Sequence, residues 1–171
     1  MSLSSFQPSL EGEARLLLLI EAFSRKGKVL EGRTKLAKLD FLLRYPSYYV
    51  RALTIRCPSA VHEENVPEPD LESRMVRYRF GPWDPAYFAL LGRLVGKGLV
   101  RPVPFARGIG YRATDKGRTI VLELKREPAW IETSDRIVLL KRHFNLSGAT
   151  LKKFIYENFP EVTQATWGQS I

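Results

Sequence analysis

The sequence predicts a mainly helical α+β protein, and three observations carry that prediction. Apolar residues recur at helical spacing through most of the stretch from Leu10 to Phe159. Good capping residues (Asp84, Thr114, Ser134 and Ser147) precede four of the helical stretches. Two short strand-like runs, Leu99 to Val103 and Ile109 to Ala113, flank a Pro/Gly-rich tip from Pro104 to Gly108.

At 171 residues the chain supports one domain with room for a small appendage, enough to bury a core without disulfide staples. A single cysteine, Cys57, excludes an intramolecular disulfide framework and points to a reducing, cytoplasmic setting. The strongest apolar run, Leu16 to Ile20, is far too short to span a membrane, and Glu11 and Glu13 before it argue against a signal peptide. No membrane association is expected.

In chain order, residues 1–9 read as a loose start, and Leu10 to Phe23 as a helix whose unbroken apolar run requires burial on more than one side. Thr34 could cap a second helix with Leu36, Leu39, Leu42 and Leu43 on one face, stopped at Arg44-Tyr45-Pro46 because the residue before a proline leaves the α region. A third helix from Ser47 carries Tyr48 and Tyr49, of which one belongs to the core and the other is a contact candidate. The segment 58–75 is rich in Pro and Glu/Asp and reads as an acidic loop. Asp84 as N-cap with Pro85 at the first helical position starts a helix with Tyr87, Leu90, Leu91, Leu94 and Val95 on its apolar face. The ribbon follows, then a helix from Asp115 to Lys125 capped by Thr114, and a pair of helices starting after Ser134 and Ser147.

Helix, β-ribbon and capped helix in that order is how the second half of a winged-helix domain reads. The expected organisation is a winged-helix-like domain over 1–126, with the acidic loop at 58–75 and the wing at 99–113. A C-terminal helical hairpin over 127–160 and a tail over 161–171 complete it.

Catalytic patterns are missing from the sequence. His62 and His143 are 81 positions apart and neither has a ligand-type partner at helical spacing. Gly108-Ile-Gly110 fits neither phosphate-loop pattern. The chain is read as a non-enzyme with no metal and no cofactor.

The formal net charge is +9, distributed as +5 over residues 1–57, −4 over 58–75, +6 over 76–113 and +2 over 114–171. Such a field suits nucleic acid or an acidic protein. Candidates for DNA-backbone contact are Arg77, Arg79, Arg93, Lys97, Arg101, Arg107 and Arg112, extended by Arg33, Lys35 and Lys38. The helix before the ribbon presents Ala86, Tyr87, Phe88 and Ala89 at its reading end, which argues against base readout. Candidates for protein contact are Tyr48, Tyr49, Tyr87, Phe88, Tyr156 and Trp167.

Four stretches carry a resemblance: Gly32 to Leu43, Arg79 to Pro85, Gly110 to Arg118 and Leu146 to Pro160. Together, over roughly residues 10–160, the chain resembles the middle component of bacterial ABC-three-component defence systems, the group that includes Lamassu. The Leu-Ser-Gly to Phe-Ile-Tyr-Glu-Asn-Phe-Pro ending is the more distinctive part. The resemblance implies a small accessory subunit that binds an SMC-like or Rad50-like ATPase and an effector, often a nuclease, in a complex sensing phage or plasmid DNA. It implies no catalytic residues. The alternatives are a stand-alone winged-helix transcriptional regulator and an antitoxin-like inhibitor.

Overall fold

The computed structural model describes residues 7–61, 75–78 and 81–171. At its centre lies α1 (Leu10–Phe23). Ser9 Oγ accepts a hydrogen bond from Gly12 N at 2.9 Å, and Glu11 and Glu13 favour the positive end of the helix. Leu16 to Ile20 are all buried. Five consecutive residues point all round a helix, so this is achieved only by enclosure, as the sequence requires. Lys26 and Gly27, both at positive φ, turn the chain away from α1.

The next helices are α2 (Gly32–Arg44) and α3 (Pro46–Arg56), followed by a 3-10 turn at Pro58–Ala60. α2 starts two residues before the expected Thr34, because Gly32 at φ +86 makes the turn there. Most of the acidic loop, residues 62–74, lies outside the described residues.

Strands β1 (Val76–Tyr78) and β2 (Gly81–Trp83) pair antiparallel, Val76 opposite Trp83. The regular part of α4 (Tyr87–Gly96) begins one turn after Asp84, whose Oδ1 accepts Ala86 N at 2.8 Å. Then β3 (Val100–Phe105) and β4 (Gly108–Ala113) form an antiparallel ribbon with Phe105 opposite Gly108. Its turn is Ala106-Arg107 alone, tighter than the expected five-residue tip. Leu30 bridges Tyr111 with two backbone bonds of 2.9 Å, adding a one-residue third strand to β4. Pro102 and Pro104 lie on β3, the outer strand, where a missing N–H costs no ladder bond.

The C-terminal part comprises α5 (Asp115–Leu124), α6 (Pro128–His143), α7 (Gly148–Asn158) and α8 (Pro160–Gln164). Thr114 and Ser147 cap α5 and α7 as expected, accepting Gly117 N at 3.0 Å and Thr150 N at 3.1 Å. Ser134 is no cap. Pro128 at the first position starts α6 six residues earlier, and Ser134 lies inside the helix. α6 packs on α1 and α7 on α2, so the expected hairpin contributes Ile137, Leu140, Phe144, Leu151, Ile155 and Phe159 to the same core as residues 10–126. The tail docks on its own chain. Arg77 N donates to Gln169 O at 2.9 Å, Ile171 N donates to Met75 O at 3.0 Å, and Tyr45 Oη donates to Ile171 O at 3.2 Å.

The fold is therefore α+β and mainly α, with eight helices and two small antiparallel sheets among the described residues. Among those residues no helix is long and apolar enough to cross a membrane.

Candidate functional site

A buried charge network ties the helices together and fixes what the surface can present. Arg15 Nε (α1) donates to Asp40 Oδ1 (α2) at 2.7 Å, and Tyr87 Oη (α4) donates to Asp40 Oδ2 at 2.7 Å. The Arg44 guanidinium lies 3.6 Å from Asp40 Oδ2 and donates to Asp84 Oδ2 at 2.6 Å. Burial alone would raise the Asp40 pKa, but the positive fields of Arg15 and Arg44 hold it below the usual carboxylate range. Burial and the Asp40 charge push the Tyr87 hydroxyl well up, so it stays a donor. Two arginines balance two aspartates, which is why these charges survive inside a protein. Tyr87 is thereby corrected from a contact candidate to a core residue. It is 0% exposed, because its hydroxyl is drawn inward to Asp40.

Other pairings thin the expected basic stripe. Lys35 is buried and bonded to Glu31 Oε2 and Asn145 Oδ1 at 3.4 and 3.1 Å. Lys38 is buried too. Both are corrections: α7 covers the α2 face that carries them. Lys97 pairs with Glu13, and Arg93 lies 3.5 Å from Glu13 Oε1 and donates to Pro8 O. Arg112 is occupied by the carbonyls of Gly27 and Lys28. Arg77 donates to Thr163 O at 3.2 Å and lies over the Trp167 ring. Arg79 lies outside the described residues. Arg33, Arg101 and Arg107 are exposed.

Among the aromatic candidates Tyr49 is buried, a correction that makes it the core member of its pair, while its neighbour Tyr48 is half-buried. Tyr48 packs against Phe41, Tyr45 and Phe159, with the Arg51 guanidinium 5.2 Å from its ring. Tyr156 is half-buried beneath the Lys152 ammonium, at 5.3 Å. Phe88 and Trp167 are 61% and 64% exposed. Each carries a guanidinium on its face, Arg33 at 4.4 Å and Arg77 at 5.8 Å.

A groove of about 890 Å³ opens between the ribbon turn and the first turns of α2 and α7. Arg33, Arg107 and Lys152 line it against one carboxylate, Glu31. α7 approaches α2 closely here because Gly148 has no side chain: a Cβ would lie 3.3 Å from Lys35 N. Lys152 is absent from the candidates the sequence suggests. The signal for it lay in Ser147-Gly148, a cap and a glycine that together allow tight helix docking four residues before this lysine. With backbone N–H groups of two helix starts nearby, the groove is suited to an anion or an acidic chain.

Among the described residues no group of three or more His, Cys, Asp or Glu side chains could hold a metal ion. Cys57 Sγ faces Ser59 Oγ at 3.4 Å. No protein-family model matches the chain, and no curated protein or solved structure matches it either.

Proposed function

We propose that this chain is a non-catalytic winged-helix accessory subunit of a cytoplasmic anti-phage or anti-plasmid defence complex. In that complex it bridges an SMC- or Rad50-like ATPase and an effector nuclease, and it touches double-stranded DNA only through the phosphate backbone. The defence assignment rests on the sequence resemblance over residues 10–160. The winged-helix reading is supported by the order α1, Leu30 bridge, α2, α4, β3 and β4, in which Leu30 supplies the short third strand.

One observation carries the adaptor role: the outward face of α4. Its exposed residues are Phe88, Ala89, Gly92, Arg93, Val95 and Gly96. Base readout needs Arg, Lys, Asn, Gln, Ser or Thr aimed outward. Arg93 alone qualifies here, and it is turned to Glu13 and the Pro8 carbonyl. An exposed phenylalanine braced by an arginine suits a protein partner instead. Arg33, Arg101 and Arg107 keep a charge available for phosphates without any sequence reading.

Co-expression with the neighbouring genes tests this. The chain should purify with the ATPase, and Phe88→Ala should reduce partner recovery while leaving its unfolding midpoint unchanged. A chain that runs alone as a sharp dimer on a palindromic DNA site would replace this reading with the regulator.

A further inference from the structure

The groove between the ribbon turn and the first turns of α2 and α7 holds more donors than it can satisfy. Arg33 on α2 and Arg107 at the ribbon turn both line it. Among the described residues neither guanidinium pairs with a carboxylate or donates a hydrogen bond. The hydroxyls of Thr34 and Tyr111, also in the lining, make no hydrogen bond among those residues either. Glu31, the carboxylate of the lining, is held by Lys35 at 3.4 Å.

Arg33 is positioned in advance. Its guanidinium lies over the Phe88 ring, 4.4 Å from the centroid. Stacking uses the face of the guanidinium plane and leaves its N–H edge for a carboxylate. The same contact makes the groove continuous with the exposed face of α4. The rest of the lining is largely apolar. Phe105 and Tyr111 are half-buried, and Ile109 is 57% exposed.

These features select the occupant. At about 890 Å³ the groove has the size of sites that enclose a short segment, and a duplex cannot enter it. Single-stranded nucleic acid binds by stacking bases on exposed rings. The rings here are half-buried, and the exposed apolar group is aliphatic. A small inorganic anion would use the charge and none of the apolar lining.

We propose that the groove takes an acidic linear segment of a partner protein, with carboxylates on Arg33 and Arg107 and an apolar side chain between them on Ile109 and Phe105. Lys152 adds positive field from the α7 side. The cations come from three elements, so charges spread along a chain match them better than one compact anion. The assignment rests on the adaptor reading for the existence of a partner, whereas the chemistry of the groove stands without it.

The test is fluorescence anisotropy on the full chain with short labelled probes. The main probe is a peptide with two glutamates on each side of a leucine-phenylalanine pair. Its controls carry serines for the apolar pair or lysines for the glutamates, and a third control is single-stranded oligothymidine. The main probe should bind saturably and more weakly as salt rises, and both control peptides should bind at least about tenfold more weakly. Arg33→Glu with Arg107→Glu should weaken the main probe at least about tenfold, since each change turns an attraction into a repulsion. Arg107→Glu alone should weaken it about threefold or more, and it serves if the double variant does not fold. Ile109→Ser should weaken it about fivefold with the unfolding midpoint unchanged. Lys153→Glu, exposed on α7 and outside the lining, should leave binding within about twofold; a loss equal to that of Arg107→Glu would overturn the site. Absence of saturable peptide binding overturns the proposal, as does binding that the arginine variants leave unchanged. Equal binding of the serine peptide removes the apolar seat and overturns it too. Tighter binding of oligothymidine than of the main probe overturns it and assigns the groove to single-stranded nucleic acid. Recovery of the ATPase on co-expression without peptide binding overturns this site and leaves the adaptor reading standing. Peptide binding without partner recovery sustains the site and overturns the adaptor reading.

Discussion

Replacing Asp40 with asparagine should be among the most damaging single-atom changes in this protein. The carboxylate is 0% exposed and accepts from Arg15 and Tyr87 at 2.7 Å each, with Arg44 at 3.6 Å. Asparagine keeps the shape but removes one of the two negative charges that balance two buried arginines. Its amide also presents donors where donors already point. Breaking a buried pair by changing one partner costs about 3–5 kcal/mol. At roughly 2–4 °C per kcal/mol for a chain of this size, the melting temperature should fall by about 6–20 °C. Urea unfolding followed by circular dichroism measures the loss, with the denaturant slope expected to stay constant. Tyr87→Phe, which removes one hydrogen bond to the charged group, should cost less, about 1.5–3 kcal/mol. The pH dependence supplies a second check. The folded pKa of Asp40 lies below its unfolded value. Its contribution is therefore complete above the unfolded value, near about 4, and disappears as pH falls through the lower folded value. The stability gap between wild type and Asp40→Asn should close over that acidic range. A cost under about 1 kcal/mol, or a gap that stays constant on acidification, would refute the reasoning.

Replacing Arg101 and Arg107 together with alanine should weaken DNA association and lower the slope of log K against log salt by about 0.9 for each phosphate no longer neutralised. Arg112→Ala should leave that slope alone and lower the unfolding midpoint, because its guanidinium holds the Gly27 and Lys28 carbonyls; an equal change in slope would count against the assignment. Gly117→Ala would place a Cβ 2.1 Å from Leu99 O, backbone against backbone, and should cost about 1–3 kcal/mol or more by chemical denaturation. Gly92→Ala meets nothing within 4 Å on the exposed side of α4 and should stabilise by roughly 0.5–1 kcal/mol. Similar effects at the two glycines would contradict the packing.

Features that depend on a few adjacent residues are legible in the sequence itself. The bounds of α1, the caps at Thr114 and Ser147, the ribbon and the stop before Pro46 follow from spacing, side-chain oxygens and proline geometry. The start of α6 is misleading in sequence because Ser134 imitates a cap within a helix already begun at Pro128. The tail offers only the hint of Trp167 and Ile171, since pairing with Met75 and Arg77 joins segments some ninety residues apart. The groove is half legible: Arg33 and Arg107 stand out as charges, whereas Lys152 joins them only through the packing of α7 on α2.

By itself the sequence determined most of the helices, though neither the start of α6 nor α8, together with the ribbon and a large excess of positive charge, because those follow from local chemistry and counting. The tertiary structure alone decided where that charge remains available. A lysine at a helical position looks the same whether the next helix covers it or not. Glu13 neutralises Lys97 across 84 residues, and Lys35 meets Asn145 across 110. Lys38 is left inside with other cations for neighbours. Electrostatic free energy depends on distance and burial, and sequence separation fixes neither.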